Sequence, residues 1–139
     1  MIRESVFMVL IAMSGLFSVN SDASGGKAVT VYFVPFEIET YIPITRTTIT
    51  CEAREKWTIS DPSRVSSLIE LLNRGEAASF DEKKVRAKIA AVDSTYYVDA
   101  EGTVQKNNTT TRIDKAEFTK FAQELSIKER RTIKRRHCQ

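Results

Sequence analysis

The sequence predicts a single α+β domain: a mainly antiparallel sheet of about five strands with two helices packed on one face, in the order β-β-α-β-β-β-α. Three observations lead there. Two early segments carry strand chemistry, two later segments carry capped helical periodicity, and the segments between them alternate with a turn signal.

The run from Val29 to Val34 is β-branched and aromatic, with apolar residues at both parities, and reads as a buried central strand. Pro35 ends it. Phe36, Ile38 and Thr40 then alternate with Glu37, Glu39 and Tyr41, which suggests a half-exposed continuation up to a turn at Pro43. Thr45 to Ile59 reads as the longest extended stretch. Ile49, Cys51, Ala53, Trp57 and Ile59 share one parity, and Arg46, Thr48, Thr50, Glu52, Arg54 and Lys56 share the other. Period-2 alternation puts one face on a core and the other in water.

The first helix is bounded by Ser60 or Asp61 as cap, Pro62 in the first turn and Gly75 at the close. Val65, Leu68, Ile69 and Leu72 lie between at helical spacing. Val85, Ala87, Ile89 and Ala91 alternate with Arg86 and Lys88 as an amphipathic strand. Tyr96–Val98 and Thr103–Gln105 flank Asp99-Ala100-Glu101-Gly102, a hairpin signal, and Asn107-Asn108-Thr109 reads as a loop. The second helix starts at Asp114, with Glu117 completing a capping box and Ile113 set to staple against Phe118. Phe118, Phe121, Ala122 and Leu125 make its apolar stripe. Ser126 and Glu129 repeat the cap spacing and predict a short polar helix.

Three regions are expected along the chain: a signal peptide over 1–23, a domain over 24–125 and a basic C-terminal tail over 126–139. The N-terminus offers Arg3, an apolar run from Val6 to Val19 that is short for a membrane span, and Ser21-Asp22-Ala23 as a small-x-small site. Cleavage is therefore placed after Ala23, with Val19-Asn20-Ser21 as a second candidate. No cysteine lies near the end of the run to carry a lipid. The competing reading is an uncleaved anchor. Export implies a periplasmic or extracellular location.

The chain carries a net charge of +3, unevenly spread. Lys128, Arg130, Arg131, Lys134, Arg135 and Arg136 crowd the C-terminus, opposed only by Glu129. Catalytic equipment is sparse. His137 is the one histidine and sits in that tail, so a nucleophile–histidine arrangement lacks walls. One histidine and two cysteines without close spacing make no zinc set, and the five scattered glycines make no phosphate loop. Glu37 and Glu39 on one strand face stand roughly 7 Å apart, a separation glycosidases use, although alternating glutamates ordinarily mark a solvated face. Asp99-Ala100-Glu101-Gly102 resembles part of a calcium loop, but position 12 would be Thr110, and a hairpin turn is the simpler reading. Asn107 and Asn108 each open an Asn-x-Thr sequon.

The expected function is thus a non-enzymatic binding module of the bacterial cell envelope, without cofactor or metal. An inhibitor or immunity-type protein is one member of that class. Glu37, Glu39, Tyr41, Arg46 and Glu52 form its expected contact surface toward an envelope or secreted protein. Tyr32, Tyr41 and Tyr97 are the aromatic residues expected on outer faces. The alternative is an accessory protein that binds anionic lipid or polymer through the tail. Cys51 and Cys138 are the only cysteines, and pairing would close a loop of 87 residue steps, from 51 to 138. A buried free Cys51 with an exposed Cys138 is the other possibility.

Overall fold

A computed structural model describes residues 27–134. The expected signal peptide, Arg135, Arg136, His137 and Cys138 lie outside the described residues. No helix among the described residues is long and apolar enough to cross a membrane.

The fold is α+β around one antiparallel sheet, but the sheet has eight strands rather than about five. Its strands are β1 (Val29–Phe33), β2 (Glu55–Ile59), β3 (Glu76–Ala77), β4 (Val85–Ala90), β5 (Thr95–Asp99), β6 (Thr103–Lys106), β7 (Thr109–Arg112) and β8 (Arg130–Thr132). They lie in the order β3-β7-β6-β5-β4-β1-β2-β8, every neighbouring pair antiparallel. Helices α2 (Pro62–Asn73) and α3 (Lys115–Gln123) each carry the chain from one side of the sheet to the other: α2 from β2 to β3, α3 from β7 to β8. Both pack on the same face, where Leu68, Leu72, Phe118 and Ala122 meet Val31, Phe33, Trp57, Ile59, Ile89 and Val98. Phe33, Trp57 and Phe118 form the centre of that layer, with ring centroids 5.1–5.4 Å apart.

The helix ends follow the sequence. Asp61 caps α2 by accepting from Ser63 N–H, and Asp114 caps α3 by accepting from Ala116 N–H and Glu117 N–H. Gly75 follows α2 for a different reason from the expected C-cap: it has no positive φ, and an added Cβ would lie 1.7 Å from the carbonyl oxygen of Arg112. The β5–β6 hairpin is as expected, with Gly102 at φ +84°.

Four local readings are corrected. The long extended stretch from Thr45 is broken by a short helix, α1 (Ile49–Glu52), and only Glu55–Ile59 is strand. Thr48 Oγ1 accepts from Thr45 N–H, so this threonine-rich segment bonds its own backbone instead of a neighbouring strand. Glu37 and Glu39 lie in the turn and irregular chain after β1, both exposed, and share no strand face. Val29–Phe33 is central in the sheet, but it alternates buried and half-buried, so only one of its faces is fully covered. After α3, Ser126 and Glu129 make the reciprocal capping contacts, Glu129 N–H to Ser126 Oγ and Ser126 N–H to Glu129 Oε1, but the chain then enters β8 rather than a helix. Part of the segment read as a tail therefore belongs to the sheet.

Candidate functional site

Alternation along each strand decides what the face away from α2 and α3 displays. Tyr32 lies between buried Val31 and Phe33, Lys56 between buried Glu55 and Trp57, Lys88 between buried Ala87 and Ile89, and Tyr97 between buried Tyr96 and Val98. Register then sets these residues side by side. Arg131 pairs with Lys56, Lys56 with Tyr32, Tyr32 with Lys88, Lys88 with Tyr97, and Tyr97 with Gln105. One transverse row across β8, β2, β1, β4, β5 and β6 thus reads cation, cation, ring, cation, ring, amide. The Nζ of Lys56 stands 5.7 Å from the centre of the Tyr32 ring, and the guanidinium of Arg46 stands 5.8 Å from that of Tyr97.

A groove of about 600 Å³ opens at the β8 end of this row. Its described lining is Tyr32, Lys56, Arg131 and Lys134 with the α1 residues Thr50 and Cys51 and their neighbours, and it contains no carboxylate. Among the described residues, no ion pair engages Lys56, Lys88, Arg131 or Lys134. Three unneutralised cations beside one another make a positive potential with nothing in the described wall to cancel it.

The C-terminal cations divide between two roles. Arg130 points to the helix layer, where its Nε binds Glu55 Oε1 and its Nη1 donates to Ala122 O, so it is a structural residue. Arg131 and Lys134 line the groove, and Lys128 is exposed in the turn before β8. The expected protein-contact surface is only partly assembled. Glu39, Tyr41 and Glu52 line one recess of about 330 Å³ together with Arg54. Glu37 is exposed outside that lining, and Arg46 pairs with Glu82 on a different part of the surface. Tyr41 is fully exposed beside Ile42.

Cys51 is disulfide-bonded, while its expected partner Cys138 lies outside the described residues. The Sγ of Cys51 lies 3.2 Å from Thr48 O. A disulfide sulfur has no proton to donate, so that approach is a contact and not a hydrogen bond.

The carboxylate of Asp99 is fully buried and accepts from the backbone N–H groups of Asp81, Glu101 and Thr103. It organises the β5–β6 turn. Arg86 is buried nearby at the bulge between Val85 and Ala87; burial pulls its guanidinium below the ordinary arginine value, and Asp99 acts in the opposite direction. Among the described residues, no cluster of three His, Cys, Asp or Glu side chains could hold a metal ion.

The sequence showed Tyr32, Lys56, Lys88 and Tyr97 as outward residues of their own segments, but it put Arg131 in a tail and gave Gln105 no face. It did not show which strands are neighbours, and Lys56 and Lys88 were missed as site residues for that reason. Comparison of the chain with family models, curated proteins and solved structures finds no match to any of them.

Proposed function

We propose that the protein is an exported, non-enzymatic binding module whose ligand is a polyanion held in the groove between α1 and the β8 end of the sheet, on the face opposite α2 and α3. The observation that supports this reading most is the groove in which Lys56, Arg131 and Lys134 meet without a carboxylate in the described lining. Each phosphate or sulfate neutralised there would release counterions, so binding is expected to weaken steeply with salt. Heparin retention tests it. The full chain is expected to be retained at about 50 mM salt and released well below 1 M, and Lys56→Glu with Arg131→Glu to elute much earlier. Absence of retention at low salt would refute the reading. Substitution is the right tool, because truncation from residue 128 would also remove β8 and the contact between Arg130 and Glu55.

A second reading, an inhibitor or immunity-type module, is favoured by one observation: Tyr41 and Ile42, at 106% and 65% relative exposure, project beside the recess lined by Glu39 and Glu52. Exposed aromatic residues of this kind anchor protein interfaces. A partner retained from envelope extract by the wild-type chain and lost with Tyr41→Ser would support it; equal capture by both would exclude this surface. Export itself is tested by the mature N-terminus, expected near Ser24.

A further inference from the structure

We infer that the polyanion is an acidic polypeptide segment that adds to the sheet as a further strand along the open edge of β8; this rests on the polyanion reading above. β8 ends the strand order, and its three residues are all exposed. Its hydrogen bonds to β2 fix which backbone groups are left for a newcomer. Thr58 N–H donates to Glu129 O and Ile133 N–H donates to Arg54 O, so the bonded pairs are Thr58 with Glu129, Lys56 with Arg131 and Arg54 with Ile133. In an antiparallel ladder the residues between such pairs turn their backbone groups the other way. Thr132 therefore presents both its N–H and its C=O outward. Arg130 presents its C=O, its N–H being given to Ser126 O. Among the described residues, no strand lies beyond them.

This edge singles out a polypeptide among anions. Phosphate and sulfate polymers and anionic headgroups have no N–H and C=O groups repeating at strand spacing, so they would meet the cations of the groove and leave the edge unpaired. The side chains then call for acid. A strand added to β8 lies ~4.8 Å from it, and every second side chain falls on the groove face beside Arg131 and Lys134, where the described lining holds no carboxylate. The alternate side chains fall on the side of Arg130, whose guanidinium already holds Glu55, so neutral residues suit them. Ile127, 92% exposed in the turn that leads into β8, offers an apolar contact at one end. A second copy of this chain fits less well. Two β8 edges side by side would set Arg131 and its neighbours against their own kind, and the other edge strand, β3, is two residues long and brings only Glu76.

The test uses the full chain and a labelled peptide of ~8 residues that alternates threonine with glutamate, by fluorescence anisotropy at about 50 mM salt. Laid antiparallel, as every neighbouring pair of this sheet is, the peptide pairs through its threonine amides while its glutamates face Arg131 and Lys134. N-methylation of the threonine amides should weaken binding about tenfold or more, and N-methylation of the glutamate amides, at the same charge, by less than about threefold. Thr132→Pro removes the outward N–H without touching a bond to β2, a place where an edge strand tolerates proline. It should lower peptide affinity about fivefold and leave heparin retention unchanged. Equal affinity for the two methylated peptides overturns the edge pairing and leaves the polyanion reading standing. Heparin retention without peptide binding also overturns it, in favour of a phosphate or sulfate polymer. Failure to bind either the peptide or heparin overturns both. The comparison of the methylated peptides needs only the wild-type protein, so it holds even where Thr132→Pro misfolds.

Discussion

The guanidinium of Arg130 holds the carboxylate of Glu55 across the β2–β8 pair, and the same Glu55 oxygen accepts from the indole N–H of Trp57. Glu55 is a buried acid on the helix side of the sheet, and both donors converge on its Oε1. The contact fastens a three-residue edge strand to the core and thereby fixes Arg131 on the opposite face. Arg130→Ala should lower stability by about 1–2 kcal/mol, less than for a fully buried pair because Arg130 is 39% exposed. Arg130→Lys should recover only part of this, since an ammonium lacks the fork. Urea unfolding measures both, and an unchanged midpoint for Arg130→Ala would remove Glu55 as an anchor.

Phe118 is fully buried between Phe33, Phe36 and Trp57. Phe118→Ala should destabilise by about 3–5 kcal/mol through lost transfer energy and a cavity under α3. Phe118→Leu should cost clearly less. Thermal unfolding of both variants checks the order.

Gly75 is required by close approach and not by φ. Gly75→Ala puts a Cβ against backbone at Arg112, which cannot swing aside as a side chain could. We expect a loss of about 1–3 kcal/mol, from overpacking, together with loosening of the β3–β7 pair. Amide exchange at residues 76 and 111 reports that loosening; unchanged protection there would contradict the expectation.

Asp61 is an exposed cap whose carboxyl is held below its ordinary value, first by the Ser63 N–H and then by the Ser63 hydroxyl. A depressed folded-state value means that its stabilisation is complete above the unfolded-state value and lost as pH falls through the folded one. Asp61→Asn keeps the acceptor but not the charge. The stability gap between wild type and Asp61→Asn should therefore narrow as pH drops below about 4. A gap that stays constant down to acid pH would show that the charge contributes nothing.

The partner of Cys51 is expected to be Cys138, the other cysteine of the chain. Peptide mapping without reductant should recover the two as one cross-linked species. Reduction should cost about 2–4 kcal/mol, as for a long closed loop. Alkylation of both thiols without prior reduction would exclude the bridge.

The capped helices were legible because their signals are local. Asp61 with Pro62, and Asp114 with Glu117, act within one turn, and Leu68, Leu72, Phe118 and Ala122 fall on one stripe wherever the helix is placed. The β5–β6 hairpin was legible for the same reason, through Gly102. Strands β3, β7 and β8 were not. Glu76-Ala77, Thr109-Thr110-Thr111-Arg112 and Arg130-Arg131-Thr132 carry no apolar alternation, and they are strands only because a neighbour's backbone presents hydrogen-bonding groups to them. Thr45–Glu52 failed in the opposite direction, since threonine favours strands yet can bond its own backbone when no strand lies alongside.

By itself, then, the sequence determined the α+β class, the two long helices with their caps, and the inward parity of Trp57, Ile59, Ala87 and Ile89. It also determined that Tyr32, Lys56, Lys88 and Tyr97 each face away from that parity. Only the tertiary structure decided that they stand in one row. Strand order is set by where α2 and α3 carry the chain across the sheet, and register by backbone pairing between residues as far apart in sequence as Lys56 and Arg131. Parity is a property of one strand, whereas adjacency is a property of two.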